Sequence, residues 1–211
     1  MSRDVAISEF LTQEGFSGPA SLQAARNMLE REGLTRSGKL RIAEAKLQAA
    51  RALLNERLLK TCGNEECREL AGETGHEADL VLVDSAACVV CRGSNNRRAI
   101  VALARCLRRH GVQRVLIVGG KPEQHAEIED LLRSEGRAVR CVDGSRGSHS
   151  RRDAEPNRAW AQVLLVWGAT QLPHKVSELY TSAPPPPGQR VVKLARRGVE
   201  ALCREAIRSF A

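Results

Sequence analysis

The 211 residues suffice for one large domain or two to three small ones, and with 42% of them hydrophobic a permanently unfolded chain is excluded. Lys and Arg total 33 against 25 Asp and Glu, a net charge of +8 with a pI near 9.5. A polyanionic partner fits that balance; a bilayer-spanning protein does not, because no apolar run reaches the length a membrane helix needs.

The N-terminal stretch MSRDVAISEF lacks the apolar core of a secretory signal, so a cytoplasmic location is expected. In a reducing compartment paired cysteines are metal ligands more often than disulfides. Charge is unevenly spread: residues 61–91 carry one basic and seven acidic side chains, residues 92–160 fifteen and eight, and Arg92 to Lys121 contains no Asp or Glu.

Residues 1–60 read as a helical module. Asp4 to Glu14 predicts a short amphipathic helix stopped by Gly15, and SLQAARNMLEREG a second with Ala, Leu and Met inward and Gly33 as its stop. A third helix is expected from about Lys39 to Lys60. The phrase LEREGLT is similar to the end of a recognition helix in bacterial helix-turn-helix modules, although the helical KLRIAEAKLQAARALL after it does not read as a wing.

Residues 61–91 read as loop-like, with DLVLVD as one strand, and they carry two cysteine pairs. Cys62 and Cys67 form C-x4-C, Cys88 and Cys91 form C-x2-C, and twenty residues lie between. Two such pairs complete the tetrahedral thiolate shell that zinc prefers, with Gly63, Asn64 and Gly93 supplying tight turns around the sulfurs. A structural zinc ion is expected here, with disulfides or an iron-sulfur cluster as the competing readings. His76 is a possible substitute ligand and a solvated loop histidine by default. Glu65, Glu66 and Glu69 would repel a phosphate backbone from this edge. Cys106, Cys141 and Cys203 read as buried apolar positions.

NNRRAIVALARCLRRH follows as a helix between Ser94 and Gly111. At 100° per residue Arg97, Arg98, Arg105, Arg108 and Arg109 fall within about 120° of arc, opposite Ile100, Leu103, Ala104 and Leu107. The segment holds no acid to pair with them, so guanidinium groups turned outward toward phosphate are expected, against the plain alternative of a solvated charged face. The six aromatic residues are too few for a single-strand stacking platform.

From Gln113 onward strands alternate with helices: RVLIVGG, AVRCVDG, QVLLVWGAT and RVVKLA as strands, with helices after the first, third and fourth. The pattern predicts an α/β fold, a small Rossmann-like parallel sheet of about four strands. GSRGSHSRRDAEPNR (144–158) and SAPPPPG (182–188) read as loops. Ligands of parallel sheets sit beyond the carboxyl ends of the strands, which here bear Gly119, Gly120, Lys121, Asp143, Thr170, His174, Lys175, Arg196 and Arg197. That cationic mouth with one carboxylate suits a phosphate-bearing ligand. The three-glycine dinucleotide fingerprint is missing, because Lys121, Pro122 and Glu123 follow Gly120.

The motifs CVVCRGSNNRRA, RVLIVGG, VDG, VWGATQLPHKVSELYT and ARRGVEAL together resemble an uncharacterised bacterial family, a domain of unknown function with a Rossmann-like core, over about residues 88–211. The resemblance implies fold rather than activity, and it marks the glycine pair, Asp143, His174 and Lys175 as part of the family pattern. The helical module and the cysteines are additions that point toward regulation or phage defence.

Three units are therefore expected: a helix-turn-helix-like module (1–60), a zinc segment with the basic helix (61–111) and a Rossmann-like domain (112–211). The leading expectation is a non-catalytic, zinc-stabilised protein that binds DNA in preference to RNA through its helical module and the five arginines. A sensor of a nucleotide-like ligand at the sheet mouth is second, and an enzyme using His174 and Asp143 third. A protein partner or a homo-oligomer stays open.

Overall fold

A computed structural model describes residues 4–73, 78–144, 150–168 and 172–211. The chain forms two compact units, Met1–Ser94 and Asn95–Ala211. The cysteine segment thus belongs with the helical module and the basic helix with the sheet, instead of the two forming a segment of their own at 61–111.

In the first unit β1 (Asp4–Ala6) pairs antiparallel with β2 (Arg41–Ala43), placing Val5 opposite Ile42. Between them lie α1 (Ile7–Gln13) and α2 (Pro19–Arg31). A 3₁₀ turn at Glu44–Lys46 leads into α3 (Leu47–Arg57), which passes directly into β3 (Leu58–Thr61). Then come α4 (Glu65–Gly72), β4 (Asp79–Leu82) and a second 3₁₀ turn at Ser85–Ala87. The helices expected over 4–14 and 39–60 are both shorter than their patterns, and 61–91 contains a helix where a loop was expected. Strand pairing at β1/β2 and β3/β4 buries Ile42, Leu58 and Val81, and that burial overrides helix propensity at the ends of α1 and α3. Phe10, Leu11, Ala25, Leu29, Ala50 and Leu54 from the three helices close the same core.

The second unit opens with α5 (Asn95–Arg109). It continues through β5 (Arg114–Val118), α6 (Pro122–Ser134), β6 (Ala138–Val142) and α7 (Arg151–Trp160), and then β7 (Val163–Trp167), α8 (His174–Thr181), β8 (Arg190–Leu194) and α9 (Val199–Arg208). The four strands form one parallel sheet in the order β6-β5-β7-β8. All four stand where the sequence pattern sets them. The segment 144–158, expected as a loop, is helical from Arg151. The Ser150 hydroxyl accepts from the Asp153 N–H, which caps α7, and Pro156 is carried inside the helix.

Odd-numbered positions of β5 (Val115, Ile117) face a core shared with α5, α6 and α9, while Leu116 and Val118 face α7 and α8. The strand order explains that division. The β5-to-β6 step runs one way along the sheet and the steps to β7 and β8 the other, so crossovers of a single hand must place α6 on one face and α7 and α8 on the other. Helix α5 lies against both α6 and α9.

Cys203 on α9 is fully enclosed in this core, and burial pushes its thiol from an ordinary 9.0 up to about 12. Because the folded value lies above the unfolded one, the neutral thiol's contribution to stability is complete below about pH 9 and lost as pH rises toward 12. Cys203→Ala is therefore expected to flatten the alkaline fall of the melting temperature over that range; an unchanged profile would refute the assignment.

Candidate metal centre

The four paired cysteines converge. Cys62 follows β3, Cys67 sits in the first turn of α4, and Cys88 and Cys91 follow the 3₁₀ turn after β4. All four are buried, and their sulfurs lie within 4.8 Å of one another. The Cys62 and Cys91 sulfurs are 3.8 Å apart, and all seven cysteines are free thiols. A disulfide would bring the sulfurs to about 2 Å. Thiolates about 2.3 Å from a tetrahedral ion stand about 3.8 Å apart, the separation of the Cys62 and Cys91 sulfurs. A multi-iron cluster, which interposes iron and sulfide between its thiolates, needs a wider cage.

Local sequence builds this cage. Strands β3 and β4 run parallel, with Thr61 opposite Leu82, so the chain leaves both strands at the same end and delivers both cysteine pairs there. Asn64 caps α4, its side-chain oxygen accepting from the Cys67 N–H, while Glu65 and Glu66 occupy the first turn, where carboxylates favour the helix dipole. The Val89 N–H donates to the Lys60 carbonyl at 2.9 Å and ties the second cysteine segment to β3. In CVVCRG, Arg92 and Gly93 both take positive φ, 45° and 79°, which turns the chain tightly behind Cys91.

Electrostatics within the cage favour a cation. Burial alone would raise the Cys88 thiol, but the N–H groups of Cys91, Cys62 and Val90 outweigh it and bring Cys88 down to about 7. Burial and the adjoining Cys62 thiol push Cys67 far upward, and burial raises Cys91 although the Gly93 N–H points at its sulfur. One thiolate forms readily and then opposes the rest, and four together require a positive ion among them. His76 lies outside the described residues.

Beside the cage, Lys60 is buried. Its ammonium donates to the Glu14 carbonyl at 2.9 Å and lies 4.8 Å from the Phe16 ring centre, and burial lowers its pKa. Sequence reading passed over this residue, whose alternation with Leu58 on β3 marks it as inward-facing.

The five arginines of α5 do not form one outward face. Arg105 is buried and Arg108 exposed, and both reach the Glu135 carboxylate at the end of α6, at 3.4 and 2.5 Å. The acid missing from the helix itself is supplied by its neighbour, because α5 and α6 pack side by side. Arg97 and Arg98 lie in the first turn, half-buried, and Arg109 is exposed at the far end.

At the mouth of the sheet, Gly119 and Gly120 take φ of 90° and 93°. A Cβ on Gly120 would stand 2.7 Å from the Trp167 ring and 2.9 Å from His125 Nε2, so the pair admits packing side chains. His125 Nε2 contacts the Gly119 carbonyl at 2.7 Å, and the Trp167 indole N–H donates to the Arg196 carbonyl. Neither His125 nor Trp167 stood out in the sequence; a strand-terminal tryptophan across from a glycine pair is the signal that could have found them. Asp143 follows β6, and Lys121, Lys175, Arg196 and Arg197 are exposed. His174 opens α8, its side chain 86% exposed and its Nδ1 3.1 Å from Glu178. Thr170 lies outside the described residues.

No helix among the described residues is long and apolar enough to cross a membrane. Comparison with protein-family models, with curated proteins and with solved structures finds no match. The chain is thus an α/β protein with a four-cysteine site whose geometry can hold one metal ion.

Proposed function

We propose that this is a zinc-stabilised, non-catalytic nucleic-acid-binding protein with a regulatory role, one that takes duplex DNA in preference to RNA. The observation that carries the reading is the division of charge. The Asn95–Ala211 unit holds 21 basic and 11 acidic residues, a net +10, whereas Met1–Ser94 is net −2. Polyanion contact is therefore assigned to the sheet unit, which we read as Rossmann-like from its strand order, and less to the helix-turn-helix-like module. Zinc is the ion that best suits four closely spaced buried thiolates, and its role is to hold the first unit together.

Fluorescence anisotropy with a labelled duplex between 50 and 200 mM salt tests this. The logarithm of the association constant is expected to fall linearly with the logarithm of salt, as counterion release requires. Absence of binding at the low-salt end would refute the proposal, and thermal stabilisation by a mononucleotide in its place would favour the sensor.

A further inference from the structure

The first unit holds a cleft that neither the cysteine cage nor the charge of the sheet unit accounts for. Its volume is about 440 Å³, within the range of small-molecule sites, and every residue lining it belongs to Met1–Ser94. Gln13, Glu14 and Gly15 at the end of α1 form one wall. Lys60 of β3 contributes a second, and Asp84, Ala86 and Ala87, around the 3₁₀ turn before Cys88, a third. Lys60 enters this space because it stands two residues after Leu58, on the same inward side of the strand.

Lys60 is only 7% exposed, and an enclosed ammonium is costly unless its donors and its charge are met. The fold meets that need in part. One of the three ammonium hydrogens goes to the Glu14 carbonyl, and the Phe16 ring lies on one side of the charge. The Glu14 carboxylate, whose field also reaches Lys60, is held by Arg51 at 2.7 Å. Among the described residues neither Lys60 nor Asp84 forms an ion pair, with each other or with a third group. The cleft therefore presents one cation and one anion that do not neutralise each other.

We infer that this cleft binds a small zwitterion, an amino acid, with its carboxylate on Lys60 and its ammonium on Asp84. Charge decides between the ligand classes. The two remaining ammonium hydrogens match the two oxygens of a carboxylate, and the exposed Asp84 carboxylate accepts from a cationic amine. A phosphate dianion would bring a second negative charge that no other lining cation meets, with Asp84 opposing it. An uncharged ligand would leave Lys60 as poorly compensated as before. This site is independent of the nucleic-acid contact assigned to the sheet unit.

Thermal melting of the full chain with each of the twenty L-amino acids, β-alanine and γ-aminobutyrate at millimolar concentration identifies the ligand, and isothermal titration calorimetry then gives its affinity. At least one of these compounds is expected to raise the melting temperature and to bind at a single site per chain. Lys60→Met, which keeps the apolar stem, is expected to weaken that binding about 10- to 100-fold, and Asp84→Asn by a similar factor. Both variants are compared at wild-type zinc content, since β3 leads into Cys62 and Ala87 into Cys88. On wild type, the matching amine without its carboxyl group and the matching acid without its amine are each expected to bind at least about 10-fold more weakly than the parent. Those two analogues decide the question if Lys60→Met fails to fold or loses zinc. No melting shift with any compound of the panel, unchanged affinity in Lys60→Met, or an analogue equal to its parent would each overturn the assignment.

Discussion

Cys67→Ser is expected to release the metal and to unfold the Met1–Ser94 unit, with the sheet unit retained. Cys67 is completely buried and lies where α4 begins, so its loss leaves three enclosed thiolates around an incomplete shell. Structural zinc contributes on the order of 10 kcal/mol of apparent binding free energy to small domains, more than most domains have in reserve. The architecture here magnifies the loss. Strands β3 and β4 are a two-stranded parallel pair of four residues each, a form that is marginal in water without further support.

The measurement combines metal content by mass spectrometry, far-ultraviolet circular dichroism and limited proteolysis. Wild type is expected to carry one zinc per chain, and Cys67→Ser none, with cleavage sites appearing within the first 94 residues. Lowering pH on wild type is expected to release the ion as protons compete for the thiolates. Retention of one zinc with an unchanged melting curve would show that Cys67 is not a ligand.

Gly15→Ala should also destabilise the first unit, by about 2–6 kcal/mol. Gly15 has φ of 91°, a region that costs an L-residue about 1–3 kcal/mol. Its new Cβ would stand 2.2 Å from the Cβ of Ala87, an overlap that forces one segment to move and adds about 1–3 kcal/mol more. Ala87 immediately precedes Cys88, so the displaced segment is the one that presents the second cysteine pair. Faster zinc loss to a chelator should accompany the lower melting temperature. Gly33→Ala is the control. Gly33 has φ of 72° with nothing within 4 Å of its Cβ position, so only the backbone part should be seen, with zinc retention unchanged. Equal effects from the two glycines would remove the Ala87 contact from the account.

Periodicity alone revealed the four strands of the sheet, because each is an apolar run too short for a helix and followed by a helical pattern. The cysteine quartet was equally legible, since close pairs of one residue type keep their meaning wherever the intervening chain goes. What the sequence concealed is non-local. Nothing in KLRIAEAKLQ announces that Ile42 will pair with Val5, or that Leu58 will leave α3 to join a strand 21 residues away. The arginine face misled for the same reason. Its wheel is correct as geometry, but Glu135 lies just past the end of α6 and reaches Arg105 and Arg108 only after α5 and α6 have packed. The neighbours of the glycine pair after β5 were hidden in the same way, since Trp167 reaches Gly120 from the adjacent strand β7.

The parallel register of β3 and β4 also bears on how the first unit comes to be folded. A tight turn cannot join parallel strands, and here α4 and its flanking segments intervene, so the ladder must be made between parts of the chain that begin far apart. Cys62 and Cys88 leave the two strands at the same end. An ion taken up by one pair and then shared with the other would hold those ends together before the ladder has formed. During synthesis that bridge cannot close until Cys91 has emerged and an ion has arrived. If the site holds the zinc proposed above, metal supply would be a kinetic condition for this unit as well as a thermodynamic one.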